Sequence, residues 1–175
     1  MKSIVEQGRR PCQYSSRMIT LTRSALATSI GTVEVEASER GVRSIRFLDT
    51  KDAIALPEAN NVQLQECMQQ LAAYFAGERR VFDSFALAIA ATDFQQRVWD
   101  AAMEVAYGET ATYGDIAKSI GAPDAARAVG SALNRNPLLL VVPCHRIVPA
   151  SGGNGEFACG AWRKDWLLNF ESAKG

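Results

Sequence analysis

The segment "VVPCHRIVP", Val141 to Pro149, sets a cysteine, the chain's only histidine and an arginine in a row: Cys144, His145 and Arg146. A thiol becomes a nucleophile when its surroundings favour the thiolate, and an imidazole base and a positive charge both do so. Adjacent residues of an extended chain point to opposite sides. A proton can therefore pass between Cys144 and His145 only if the chain turns there or a water bridges them. A base also needs an acid to orient it. Glu156, Asp165 and Glu171 lie downstream, and spacing alone does not choose among them. The competing reading is a buried structural thiol beside a chance histidine.

The other cysteines, Cys12, Cys67 and Cys159, complete no zinc ribbon or CxxC pattern, and one histidine cannot build a His-rich metal site. No structural metal and no cofactor are expected. Cys67 sits on an apolar helix face and reads as a small core residue. Net charge is zero over 175 residues, which is unlike a general nucleic-acid binder. The charge is uneven, however: residues 113–175 carry 7 Lys+Arg against 5 Asp+Glu, while residues 1–112 carry 12 against 14. No apolar run approaches the roughly 18 residues of a membrane span. Residues 1–17 have basic residues but no apolar stretch of a secretory signal, and read as a polar extension. The expected location is the cytoplasm.

Elements that could position these residues follow from periodicity. Met18 to Asp49 reads as a meander of three strands punctuated by Gly31 and Gly41, with "GTVEVEA" alternating as a half-buried strand should. A helix is expected from about Asn61 to Phe75, closed by Gly77, and then a strand-like "FALAIA". Thr92 and Gln95 form a capping box for a helix running to about Ala106, with Phe94, Val98, Ala102 and Val105 inward. The domain boundary falls near residue 90, dividing 18–90 from 91–175.

Two short helices follow, "TYGDIAKSIG" from Thr112 and "PDAARAVGSALNRN" from near Asp124, joined by about three residues. That pattern suits a helix-turn-helix or a plain structural hairpin. The second helix is nearly bare: Ala125, Ala126, Ala128, Gly130, Ser131 and Ala132 are small, and only Arg127 and Val129 stand out, Arg127 as the one long side chain. A major-groove reader carries long polar side chains, whereas a bare helix can enter a narrow groove with an arginine as wedge. Packing of a small-residue face on a neighbouring helix is the competing reading. "LLLVV" reads as a buried strand leading into Pro143 and Cys144. "PASGGNGE" is a Gly-rich loop without a phosphate-binding pattern. A last helix starts near Ala161, with Trp166, Leu167 and Leu168 inward and Glu171 on its final turn.

"PCHR" after a buried strand, with "TYGDIA", "ARAVGSAL", "NP" and "RKDWLLNFE" at these spacings, resembles the O6-alkylguanine-DNA alkyltransferase family over about 80 residues. The resemblance implies an α/β N-terminal domain, ribonuclease-H-like, with a small antiparallel sheet plus helix. A mainly α C-terminal domain containing the helix-turn-helix would follow. It implies direct-reversal repair: stoichiometric, irreversible transfer of an alkyl group from O6-alkylguanine in double-stranded DNA to Cys144. Cys144 would attack the alkyl carbon of a flipped-out base. His145 would activate the thiol through a water and Glu171 would orient His145, lowering the effective pKa of Cys144. By the same resemblance Tyr113 donates to guanine N3, Asn136 braces the active-site turn and Arg127 fills the place of the extruded nucleotide.

Ala125, Ala126, Ala128, Gly130, Ser131, Tyr113 and Arg135 would complete the minor-groove surface, and Arg127, Arg135 and Arg146 its basic patch. Phe157, Ala158, Cys159, Pro143 and Met103 would wall the alkyl-base pocket. The sequence departs from the family at Phe157, where tyrosine is usual, and at Cys159, where glycine or a bulky residue is common. It also lacks the zinc ligands of some members. The resemblance implies a monomer. Cooperativity on DNA, activity on O4-alkylthymine and the preferred alkyl group stay open. A non-catalytic lesion-binding module conflicts with the presence of Cys144. A cysteine hydrolase conflicts with a histidine adjacent in sequence, and a transcription factor with the bare helix.

Overall fold

The structure is a computed structural model, and it describes residues 20–48, 60–83 and 86–174. The expected polar extension, Cys12 and the ends of the predicted meander lie outside those residues. Strands β1 (Thr22–Thr28), β2 (Gly31–Ser38) and β3 (Gly41–Leu48) form an antiparallel meander in the order β1-β2-β3. Helix α1 (Val62–Ala76) packs on this sheet. Its ends are chemically marked: Asn61 accepts from the Leu64 N–H, and Gly77 takes the left-handed conformation that ends a helix.

Central strand β2 is more deeply buried than its alternating pattern implies. Thr32, Glu34 and Ser38 are buried along with Val33, Val35 and Ala37. Glu34 is tolerated because Arg46 on β3 donates to it through Nε at 2.8 Å. "FALAIA" is not a strand. Among its described residues only Leu87 bridges to β3, through Val42 N–H to Ala86 C=O and Ala88 N–H to Val42 C=O, each 2.8 Å. That approach is close enough to require Gly41, where any side chain would collide with the Ala86 carbonyl.

The helical half begins with α2 (Asp93–Met103), opened by the reciprocal Thr92–Gln95 capping box. It stops about one turn before Ala106. The chain leaves the helix there, and the Val105 carbonyl accepts from Arg146 instead. The short strand β4 (Ala111–Thr112) leads into α3 (Tyr113–Ser119), which opens with a second capping box, Thr112 with Asp115. The partner helix α4 (Ala126–Asn134) starts two residues later than expected, so residues 120–125 form a longer turn than three.

"LLLVV" is buried but is not a strand. Leu140 adopts a left-handed φ of 72°, unusual for a branched side chain, and the chain reverses with Val142 N–H on Leu138 C=O. Its first residues dock on the sheet: Ile45 N–H donates to Pro137 C=O at 2.8 Å, and Leu139 N–H to Ile45 C=O at 3.2 Å. A 3-10 turn (Cys144–Arg146), β5 (Ile147–Val148, parallel to β4) and α5 (Ala161–Lys174) complete the chain. One buried cluster runs from the β-sheet and α1 through Trp99, Val129 and Leu138 to Leu167. No helix of the described residues is long and apolar enough to cross a membrane.

Candidate active site

The reversal at Leu140 is held by Asn136. Its Oδ1 accepts from the Leu138 N–H at 2.8 Å, and its Nδ2 donates to the Val142 carbonyl at 2.9 Å and to Cys144 Sγ at 3.4 Å. One amide therefore fixes both the turn and the sulfur at its end. The turn that the Cys–His pair required is present, since Cys144, His145 and Arg146 are the 3-10 turn itself. It brings the His145 ring against Glu171 of α5.

His145 Nε2 lies 2.9 Å from Glu171 Oε1, and both side chains are buried. Arg146 grips the same carboxylate, with Nε on Oε2 at 2.8 Å and an amino group on Oε1 at 3.0 Å. The Gly108 N–H adds a further donor to Oε2. Burial would raise the Glu171 carboxyl, but the hydrogen bonds and charges of His145 and Arg146 outweigh it and hold it at about 2. An ionised carboxylate only accepts, so Nε2 carries the proton of a neutral ring. Nδ1 then presents a lone pair, and it is buried without a hydrogen-bond partner among the described residues. Burial pushes His145 below its usual value against the pull of Glu171, so the ring rests neutral.

Burial also pushes the Cys144 thiol up to about 11, opposed by the Asn136 hydrogen bond and the charge of Lys164. This corrects the expected lowering by His145 and Glu171: the resting group is a thiol, and its proton must leave during the reaction. Arg146 is corrected too. It is buried against Glu171 and contributes nothing to a surface basic patch. Of the other carboxylates, Asp165 accepts from Asn154, while Glu156 is exposed at a cavity rim.

Cys144 opens onto a cavity of about 370 Å³, within the size range of small-molecule sites. Tyr113, Gly130, Leu133, Asn134, Glu156, Phe157 and Ala158 line it with Cys144. Leu133 and Asn134 carried no signal in the sequence. Pro143 is buried at the start of the turn, half-buried Cys159 lies beside the wall, and Met103 is 40% exposed at the end of α2. None of these three lines the cavity.

Residues 93–173 match the family described as 6-O-methylguanine DNA methyltransferase, DNA binding domain, and residues 21–89 match its ribonuclease-like domain. The chain belongs to the 6-O-methylguanine DNA methyltransferase family. A methylated-DNA–protein-cysteine methyltransferase of Methanosarcina acetivorans is 44% identical over 147 residues, covering 82% of this chain and 94% of that one. The solved O6-methylguanine methyltransferase of Mycobacterium tuberculosis is 38% identical with a TM-score of 0.78, over 89% of this chain and 95% of that one. A second structure of a Mycobacterium tuberculosis protein, in complex with DNA, is 39% identical with the same TM-score, over 88% and 94%.

In this family member the bare helix α4 divides cleanly. Val129, Ala132 and Leu133 face inward, with Trp99 Nε1 donating to the Ala132 carbonyl at 3.0 Å. Arg127, Ala128, Ser131 and Arg135 are exposed, while Ala125, Ala126 and Gly130 are half-buried. The exposed small face is thus not the one packed against its neighbours.

Two functional candidates escaped the sequence reading. Lys164 is fully buried, donates to the Ile147 carbonyl at 2.7 Å and lies 6.0 Å from the Tyr113 ring. Its signal was available, because 164, 167 and 171 form one helical stripe. Tyr74 donates to Glu171 Oε1 at 2.7 Å from 97 residues away, and no local pattern marks it.

Proposed function

We propose that Cys144 is the alkyl acceptor in the direct reversal of O6-alkylguanine damage in DNA, with His145 as its base and Glu171 as the fixed charge behind the base. The chain is a methylated-DNA–protein-cysteine methyltransferase, and DNA is its partner. One observation carries the residue assignment. His145 has Nε2 tied to an ionised carboxylate and Nδ1 buried without a partner, one residue from a thiol that opens onto a base-sized cavity.

The thiol proton passes to Nδ1 through a water, and the imidazolium that forms is stabilised by Glu171. The sulfur forms a bond to the alkyl carbon as the carbon–O6 bond breaks, and that electron pair leaves on the guanine ring. Tyr113 eases this departure by donating toward guanine N3. Burial, with Cys144 and Glu156 nearby, pushes its phenol up, so it remains a donor. The product thioether is a poor leaving group, and the protein acts once.

Arg127 stands on the exposed small face of α4, next to the cavity wall at Gly130, and fills the gap left by a base flipped into the cavity. Ala125, Ala126, Ala128, Ser131 and Arg135 complete that minor-groove surface. Affinity without sequence preference then rests on phosphate contacts. The protein works as a monomer in the cytoplasm.

The test is intact mass after incubation with duplex DNA carrying O6-methylguanine. One methyl replaces one hydrogen per molecule, mapped to Cys144. Multiple turnovers per molecule, or modification elsewhere, refute the assignment.

A further inference from the structure

We propose that Tyr74, in the N-terminal sheet-and-helix region, is a positioning residue of the Cys144 relay. It holds Glu171 in the orientation that His145 requires and draws off part of the carboxylate's charge. The inference rests on the assignment of His145 and Glu171 as base and orienting acid.

Tyr74 is on the inner face of α1 and is fully buried. Its ring is fixed by aromatic neighbours on several sides: Phe82 with centroids 5.4 Å apart, Phe170 at 5.8 Å and Tyr107 at 6.1 Å. A packing role needs no oxygen there, and a buried hydroxyl without a partner is costly, so phenylalanine would serve packing as well. The hydroxyl instead donates to Glu171 Oε1 at 2.7 Å, the same oxygen that His145 Nε2 approaches at 2.9 Å. Burial and the Glu171 charge push the phenol far up, so it is a permanent donor.

Oε1 therefore accepts from Tyr74, His145 and Arg146 together, and Oε2 from Arg146 and Gly108. Each extra donor spreads the negative charge and weakens its hold on the imidazolium. Removing the Tyr74 hydroxyl frees Oε1 to concentrate on His145, which raises the affinity of His145 for a proton. It also removes the one donor that, among the described residues, reaches the carboxylate from outside the helical half. The other charged or titratable groups around this carboxylate are Arg146, Tyr107 with Arg80 over its ring, and Lys164 near His145. None of these changes in the variant.

The experiment is the single-turnover transfer rate of full-length Tyr74→Phe on methylated duplex DNA as a function of pH. Glu171→Gln and Phe75→Leu run beside it. Phe75 meets the Tyr74 ring edge-on at 5.3 Å and carries no polar atom. A hydrogen bond to a charged group is worth about tenfold or more in an equilibrium. Tyr74→Phe should move the acid limb of the profile upward, raising the affinity of His145 for a proton by about tenfold, with DNA affinity unchanged. Phe75→Leu should lower Tm and leave the profile in place. An unmoved profile in Tyr74→Phe overturns the proposal, whether or not Tm falls, provided that Glu171→Gln moves it. If Glu171→Gln does not move it either, the relay itself is wrong, and the proposal falls with it.

Discussion

Cys67 and Cys144 are both buried thiols, and burial raises both, to about 12 and about 11. Cys67 lies on α1 between Leu64 and Leu71, and burial is the whole account of its shift. Cys144 ends a strained turn, accepts from Asn136, feels the charge of Lys164 and faces a cavity. The resting pKa separates the two by very little. What separates them is a neighbouring histidine with a buried Nδ1 that has no partner among the described residues, and a cavity onto which the sulfur opens. Reactivity here is a matter of where the proton and the substrate can go.

The largest expected contrast breaks the pair directly. Cys144→Ala should abolish alkyl transfer while keeping DNA binding. Cys67→Ala should transfer at the parental rate and lose roughly 1–2 kcal/mol of stability, read from the urea midpoint. Loss of transfer in both variants would show that accessibility does not distinguish them.

Next in size is the relay proposed for Cys144. Glu171→Gln should slow transfer by on the order of 10²–10³. It should also destabilise the fold by about 3–5 kcal/mol, because the buried Arg146 loses its counter-charge. A parental rate removes Glu171 from the chemistry.

Arg127→Ala should reduce repair of duplex DNA by roughly 10- to 100-fold, since extruding a base costs a few kcal/mol and the arginine recovers part of it. Reaction of Cys144 with the free modified base should be nearly unchanged. Equal losses on both substrates would contradict the wedge.

The pH dependence of stability sharpens the comparison from both sides. His145 sits below its ordinary 6.5, and Glu171 at about 2 against 4.5. The native state thus binds fewer protons than the unfolded chain as pH falls. Stability should be full above about pH 6.5 and decline as acid titrates first the histidine and then the carboxylate. Cys67 and Cys144 are raised from 9.0, so the native state binds more protons at high pH, and stability should decline above about pH 9. Cys67→Ala should flatten the alkaline decline and leave the acid one unchanged. Denaturant melts from pH 4 to 11 give both limbs.

The smallest effect is expected at Cys159. A group that fills a pocket is worth roughly tenfold or more in selectivity. Phe157 and Ala158 form the cavity wall, so Cys159→Gly should change the ratio of benzyl to methyl transfer by well under that. A tenfold rise would put the Cys159 side chain into the wall.

Local chemistry made much of this legible beforehand. The two capping boxes at Thr92 and Thr112, the Asn61 and Gly77 ends of α1, and the spacing that places Glu171 on the last helix are short-range patterns, and they reappear in the structure. Where prediction failed, a tertiary contact had overridden local preference. "LLLVV" has the composition of a strand, yet Leu140 is forced to a positive φ because Asn136 ties both arms of the reversal. "FALAIA" is reduced to a bridge at Val42, and α2 ends early where Val105 serves Arg146.

The sequence by itself determined the helices and the three-strand meander, the adjacency of Cys144 and His145, and the small-residue composition of α4, because each is written in residues close together along the chain. Only the tertiary structure decided the charge state of the site. It buried Arg146 against Glu171 rather than leaving it at the surface, raised Cys144 rather than lowering it, and brought the Tyr74 hydroxyl to the same carboxylate. Those outcomes depend on desolvation and on partners distant in sequence. Both exist only once the chain has folded and brought those residues together.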